Sequence, residues 1–266
     1  MQLARTYDTL LLDEPAEHIL RVTLNRPEVS NALNTQMGLD TLDLWDSLCA
    51  DPALYRCVIL TGAGEKAFCA GGDLKQRLGM TDAQWQAQHL IFERGVRAMA
   101  ACPIPIIGAI NGAAYGGGCE FTLSCDFAYA STTARFALTE VTLGIMPGAG
   151  GTQTMPRAVG IKRAKEILLT GLPFTAQQAL DWGVVNQVCD PATLQAEVLA
   201  TAQRIAANAP LSTRQIKHAV NTGMQMDIAS ALLFEIEAYN RLPPTEDRRE
   251  GVAAFNEKRR PVFKGR

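Results

Sequence analysis

The sequence predicts an α/β fold with a helical C-terminal region, and three observations predict it. Short apolar or alternating segments of strand length are interleaved with amphipathic helix patterns as far as about residue 189. From Asp190-Pro191 onward helix patterns follow one another without a strand signal. The chain has 266 residues, 47% of them hydrophobic, enough to bury a sizeable core as one domain with a smaller appendage.

Residues 7–12 (YDTLLL) and 18–25 (HILRVTLN) flank Glu14-Pro15-Ala16-Glu17 and read as a half-buried hairpin, with Leu20, Val22 and Leu24 inward and Arg21 and Thr23 outward. Arg26-Pro27 ends it. A polar loop then leads to a helix from about Thr35 to Ala50, whose Leu39, Leu42, Trp45 and Cys49 mark one apolar face, and Asp51-Pro52 stops it. CVILTG, residues 57–62, is the next strand, followed by the turn that holds Gly71 and Gly72. Thr81-Asp82-Ala83-Gln84 is a capping-box pattern opening a long helix with Trp85, His89, Phe92, Val96 and Met99 on one stripe, which makes His89 a core-edge residue.

After Cys102-Pro103 an apolar run from Ile104 to Ile110 reads as a buried strand. The glycines after it cannot fill a core; they let the backbone approach something closely. If Gly116, Gly117 and Gly118 open a short helix through CEFTLSC, their unpartnered N–H groups sit at the positive helix end and suit an anion or a polarised carbonyl oxygen. Glu120 falls in that first turn. Glu140 follows the strand-like FAYAS and the segment ARFALTE, far enough along for the chain to leave and come back. Two carboxylates converging beside N–H donors suit proton transfer at an enolate-like centre. From spacing alone the pair also reads as a helix-dipole partner and a solvated glutamate, and Gly71-Gly72 as a tight surface turn. Further on come a helix through IKRAKEILLTG, a second capping box at Thr175 to Gln178 closed by Gly183, and the strand VVNQV. In the helical tail, Leu232, Leu233, Ile236 and Tyr239 read first as core and second as a subunit contact, and Pro243-Pro244 sets off a last helix.

The run AINGAAYGGGCE at 109–120, followed by CDFAYAS, FALTE and LGIMPGAGGTQ, resembles the signature of the crotonase family, also called the enoyl-CoA hydratase/isomerase superfamily. AFCAGGDLK at 67–75 adds a separated match, and the resemblance extends over nearly the whole chain. It implies a spiral of ββα units over residues 1–195 and a helical region over 196–266 that packs trimers, which pair into hexamers. It also implies acyl thioesters of coenzyme A as substrates, with no separate cofactor, since CoA is part of the substrate. By motif, the N–H groups of Gly72 and Gly117 match the oxyanion-hole donors. Hydratases of the family carry both acids: Glu120 matches the residue that orients and deprotonates the water attacking C3, and Glu140 the one that protonates C2. Gly148 matches a glycine whose N–H holds that water.

For CoA, the resemblance points to Ala70, Asp73 and Lys75, with Ala70 matching the backbone that reads the adenine and Lys75 a lysine near the phosphates. Phe255 and Lys258, in AFNEK, match a pair that reaches the CoA of a neighbouring subunit. Two positions depart from the pattern: Glu28 stands where a lysine often follows NRP, and Thr139 stands where proline usually precedes the second acid.

Other reactions on such a site are double-bond isomerisation and hydration in aromatic-acid or carnitine breakdown, with Trp85 and Phe92 as candidate pocket lining. An RNA-binding branch of the family uses a lysine-rich helix, whereas the helix at 82–101 carries Arg94 and Arg97, and a net charge of −2 gives no basic footprint for nucleic acid. A hydrolase needs a base beside a nucleophile, yet GxSxG is absent and His18, His89 and His218 lie apart. No metal-ligand cluster or GxxxxGK[ST] loop is visible. No apolar run approaches the roughly 18 to 20 residues of a membrane span, and MQLARTYDTL resembles neither a signal nor a transit peptide. The seven cysteines include no CxxC pair and read as buried thiols, so the expected location is the cytoplasm.

Overall fold

The computed structural model describes residues 5–266. Its chain opens with an antiparallel hairpin, β1 (Leu10–Ala16) and β2 (Ile19–Leu24). The first strand runs past the expected end at residue 12, and the turn falls at Glu17-His18, with His18 at φ 63°. A register shift between Asp13 and Ala16 accommodates Pro15, which an edge strand tolerates because no ladder hydrogen bond is lost.

Helix α1 (Thr35–Ala50) has the expected span and is capped by Asn34, whose side chain accepts from Met37 N. Its buried face is turned from the expected one: Met37, Thr41, Leu44, Trp45 and Leu48 point inward while Leu39 is exposed. Asp40 can join that face because its carboxylate accepts from Thr9 N (2.9 Å), Thr9 Oγ1 (2.6 Å) and Gln36 Nε2 (2.7 Å).

From here the chain passes back and forth between two sheets. It runs through β3 (Cys57–Gly62), β4 (Ala67–Cys69), the short α2 (Leu74–Arg77) and the long α3 (Asp82–Ala101). The next round is β5 (Ile106–Ile110), β6 (Ala113–Tyr115) and α4 (Gly117–Ser124). The third is β7 (Phe127–Ser131), β8 (Arg135–Ala137), α5 (Gly151–Val159) and α6 (Ile161–Thr170). Then come β9 (Phe174–Thr175), α7 (Ala176–Trp182) and β10 (Gln187–Cys189). Of VVNQV only Gln187 onward pairs as strand; Val184 and Val185 are buried ahead of it.

The larger sheet has the order β1-β2-β3-β5-β7-β10, parallel from β2 onward, and the smaller β4-β6-β8-β9. Each round therefore places one strand in each sheet before a helix returns the chain, which is the ββα spiral that the resemblance implies. No repeat in the letters shows it, because what recurs is geometry rather than residue identity. β3 is buried at every position, as befits a parallel strand covered on both faces. One face packs Leu20, Val22, Val58, Leu60 and Ile106 into the main core. The other packs Ile19, Cys57, Ile59, Ile107 and Ala109 against α8 (Leu194–Ala206) through Leu194, Val198 and Ala202.

The remaining helices are α9 (Pro210–Gly223), α10 (Ile228–Asn240) and α11 (Glu246–Asn256). The first is tied to the spiral by Lys217, whose Nζ reaches Ile104 O (3.0 Å) and Asp126 (2.8 Å). Leu232, Leu233, Ile236 and Tyr239 are not core: all are more than half exposed on α10. Among the described residues no helix is long and apolar enough to cross a membrane.

Candidate active site

Three neighbouring strands of the smaller sheet deliver the site from one edge. β4 pairs in parallel with β6, and β6 with β8. Their C-terminal ends therefore lie side by side, the position from which parallel sheets present functional loops. From β4 emerges the Gly71-Gly72 turn, from β6 the Gly116-Gly117 turn and α4, and from β8 the short 3-10 turn that starts at Glu140.

The two glycine turns touch. Gly71 has φ 85°, a conformation open to glycine, and a Cβ there would lie 2.7 Å from Tyr115 O and 3.3 Å from Gly117 N. Gly116, at φ 50°, caps α4, so the N–H of Gly117 is the first without an intrahelical partner. Around Gly72, Leu33 N donates to Gly71 O (2.8 Å) and Asp73 N donates to Leu33 O (3.0 Å). In such a parallel bridge the intervening residue turns its own N–H away from the partner strand. Neither N–H has a protein acceptor among the described residues.

Glu120 stands in the first turn of α4, 3% exposed. Its Oε1 accepts from Ala149 N and Gly151 N, both at 2.8 Å. A Cβ at Gly151 would crowd that oxygen at 3.1 Å, so the close turn depends on glycine. Burial pushes the Glu120 carboxyl up to about 7, helped by the charge of Glu140 and opposed by the two backbone donors. Glu140 packs against Gly116, and its Oε2 is buried with no hydrogen-bond partner among the described residues. Burial raises its pKa as well, while the positive charge of Arg77 works against the rise.

Glu120, Glu140 and both glycine turns line one cavity of about 710 Å³, within the range that holds small-molecule ligands. Ala70 and Gly148 line it too. Trp85 and Phe92 form part of its wall, as expected of pocket lining. His89 is nearer the cavity than a core-edge residue: its ring packs over Gly148, where a Cβ would meet Cε1 at 2.3 Å.

The other expected residues are placed differently. Asp73 caps α2 by accepting from Gln76 N (3.2 Å) and pairs with Arg26 (3.0 Å), so its carboxylate is held within the protein. Lys75 is exposed on α2. Phe255, at the end of α11, is 83% exposed, and neither it nor Lys258 lines the cavity within one chain.

Three groups were not singled out by the sequence reading. Ala149 and Gly151 hold Glu120 by backbone N–H, for which the glycine-rich PGAGG was the available signal. Arg77 projects into the cavity, and a helix opening at Asp73 returns its fourth residue to the same face.

Glu120, its carboxyl pushed up to about 7, and Glu140, also raised by burial, thus stand beside two N–H groups without protein acceptors among the described residues and an apolar wall, an arrangement suited to proton transfer next to a developing oxyanion. The comparisons with known proteins give the family. The chain belongs to the enoyl-CoA hydratase/isomerase family, whose model matches residues 14–266. It is 41% identical over 242 residues to a short-chain-enoyl-CoA hydratase of Clostridium acetobutylicum, covering 90% of this chain and 91% of that one. It is 40% identical over 252 residues to an (E)-benzylidenesuccinyl-CoA hydratase of Thauera aromatica, covering 95% and 98%. The crystal structure of an enoyl-CoA hydratase from Bacillus anthracis superposes with a TM-score of 0.95 at 40% identity, covering 97% of this chain and 100% of that one. The family acts on acyl-CoA thioesters.

Proposed function

We propose that the protein is an enoyl-CoA hydratase, adding water reversibly and syn across a trans-2-enoyl-CoA to give a 3-hydroxyacyl-CoA. The observation that carries this reading is the convergence of Glu120 and Glu140, both raised by burial, on the cavity where the Gly72 and Gly117 turns meet. The thioester oxygen is held by those two N–H groups, which stabilise the enolate as negative charge moves onto it. Glu120, aimed by Ala149 and Gly151, orients the water and takes its proton as oxygen bonds to C3. Glu140 gives a proton to C2. Hydration is the reaction shared by the names of the Clostridium and Thauera relatives, while their acyl groups differ.

The CoA moiety is assigned to the Ala70 backbone, which lines the cavity, and to Lys75, exposed on α2, with Asp73 shaping that stretch. Phe255 and Lys258 are assigned to the cavity of a neighbouring subunit. The exposed apolar residues of α10, Leu232, Leu233, Ile236 and Tyr239, support a homo-oligomer, which we take to be trimers paired as hexamers from the family resemblance. The described cysteines are all free, which supports a cytoplasmic setting.

The test is loss of enoyl-thioester absorbance when purified protein meets crotonyl-CoA. Conversion to 3-hydroxybutyryl-CoA is the expected result. Binding of CoA thioesters without hydration of crotonyl-CoA or of a 2-enoyl-CoA with a carboxylated chain would overturn hydration, and a trans-3-enoyl-CoA would then report isomerisation.

The close fit of His89 on Gly148 gives a second expectation. Gly148→Ala puts a methyl 2.3 Å from His89 Cε1 and 2.8 Å from Nε2, so the ring must swing away or be pushed into the cavity. A drop in kcat/KM of about tenfold, an order-of-magnitude figure for such misplacement, is expected, and adding His89→Ala should restore most of it. No recovery in the double variant would mean that the ring is not what the methyl displaces.

A further inference from the structure

The apolar wall of the cavity carries a fixed cation. Arg77 stacks 4.3 Å from the ring centroid of Trp85 and 5.7 Å from that of Phe92. Its Nε donates to Gln88 Oε1 at 2.9 Å. Gln88, itself 3% exposed, donates through Nε2 to Thr35 Oγ1 and Gln76 Oε1, both at 2.8 Å. With its amide nitrogen committed to α1 and α2, the Gln88 oxygen can only face Arg77, so three helices hold the guanidinium in place. Nη1 adjoins Gly72, 3.0 Å from where a Cβ would be. Among the described residues neither terminal nitrogen has a hydrogen-bond acceptor, and no carboxylate forms an ion pair with Arg77. Glu140 acts on it only through its charge, and burial lowers its pKa.

A half-buried guanidinium stacked on aromatic rings, with its terminal nitrogens unpaired, is costly to keep unless an anionic partner reaches it. Held by Nε, it leaves a terminal fork that matches a planar carboxylate in two parallel hydrogen bonds. We propose that Arg77 receives a carboxylate carried by the acyl group, so that the favoured substrates are CoA thioesters of dicarboxylic acyl chains. The contact with Gly72 puts this second carboxylate within a few atoms of the thioester carbonyl. The inference rests on reading the cavity as the acyl-CoA site and specifies the acyl group that it takes.

The test measures binding of saturated thioesters, which cannot be hydrated: succinyl-CoA and glutaryl-CoA against butyryl-CoA and valeryl-CoA of the same acyl lengths, by titration calorimetry. Wild type is expected to bind each carboxylated member about tenfold or more tightly than its uncharged counterpart, the ratio one charge-assisted pair can supply. Arg77→Met should erase that ratio and Arg77→Lys keep part of it, with circular dichroism and thermal melting confirming that both variants fold. A wild-type ratio near one would overturn the proposal. So would an Arg77→Met variant that weakens all four ligands alike, the result expected if Arg77 serves the CoA phosphates or only supports Glu140. Because no hydration step is involved, a carboxylate preference without turnover of either crotonyl-CoA or glutaconyl-CoA, the 2-enoyl thioester that carries a terminal carboxylate, would sink the hydratase reading alone, and turnover without preference would sink this one alone.

Discussion

Glu120→Gln is expected to lower kcat for crotonyl-CoA hydration by about 10²- to 10⁴-fold, the range over which a positioned acid or base contributes. Glutamine keeps an oxygen for Ala149 N and Gly151 N, so the turn that aims the side chain survives and binding of a saturated acyl-CoA changes little. What is lost is the ability to accept the proton of water. The same residue sets a pH dependence. With its carboxyl pushed up to about 7, the ionised base is lost as pH falls through that value, and wild-type kcat/KM should fall with it. A wild-type profile flat across pH 6 to 8, or a glutamine variant that retains most turnover, would remove Glu120 from the proposed mechanism.

Stability should move the opposite way. The folded protein holds the Glu120 proton more tightly than an unfolded chain, whose carboxyl titrates near its ordinary value of 4.5. Stability therefore falls as pH rises from about 4.5 through about 7, and the cost of the buried charge is complete above that window. A rise of this size corresponds to roughly 3 kcal/mol at most. Glu120→Gln carries no such cost, so its Tm should exceed that of wild type at pH 8 and approach it near pH 4.5. Equal melting temperatures at pH 8 would show that the site solvates the ionised form better than its burial suggests.

What the letters disclosed and what they hid divide along a physical line. Local chemistry was legible: the capping boxes at Thr81 and Thr175 form with both reciprocal bonds, and α1 and α3 take their expected spans. The glycine turns were legible because residues without a side chain, set after apolar strands, have few other uses. Facing was less so. In α1 the apolar letters Leu39 and Leu42 suggested one face, but Asp40 and Thr41 are buried instead, because Thr9 and the helix carbonyls satisfy them. Periodicity counts apolar residues and cannot see a polar group that will find a partner 31 residues away. Arg77 and Gln88 escaped for the same reason, since their meaning depends on α2 and α3 meeting above Gly72. On α10 the error ran the other way: Leu232 and Ile236 read as core because sequence cannot distinguish a face buried within one chain from one left exposed on it.

Gly118→Ala tests whether the two glycine turns must touch. Alanine is the better helix former by about 1 kcal/mol, so propensity alone predicts a more stable α4. Packing predicts the reverse. A Cβ at Gly118 would lie 2.1 Å from Cys69 O, 2.8 Å from Cys69 Cβ and 2.9 Å from Cys69 C. Those atoms cannot yield cheaply, because Cys69 is fully buried and paired with Ala114 across the small sheet. The helix must lift instead. Doing so would part Gly117 N from the Gly71-Gly72 turn and draw Glu120 off Ala149 and Gly151, so one methyl would disturb both proposed oxyanion donors and the proposed base. The expected result is a loss of about 1 to 3 kcal/mol in stability and a fall of about 10²-fold or more in kcat. Gly79→Ala is the matched control: a Cβ there has nothing within 4 Å, and its effect should stay within about 0.5 kcal/mol. Should Gly118→Ala melt higher than wild type and retain its turnover, helix propensity would have outweighed the contact with Cys69, and the close approach of α4 to β4 would not be what assembles the site.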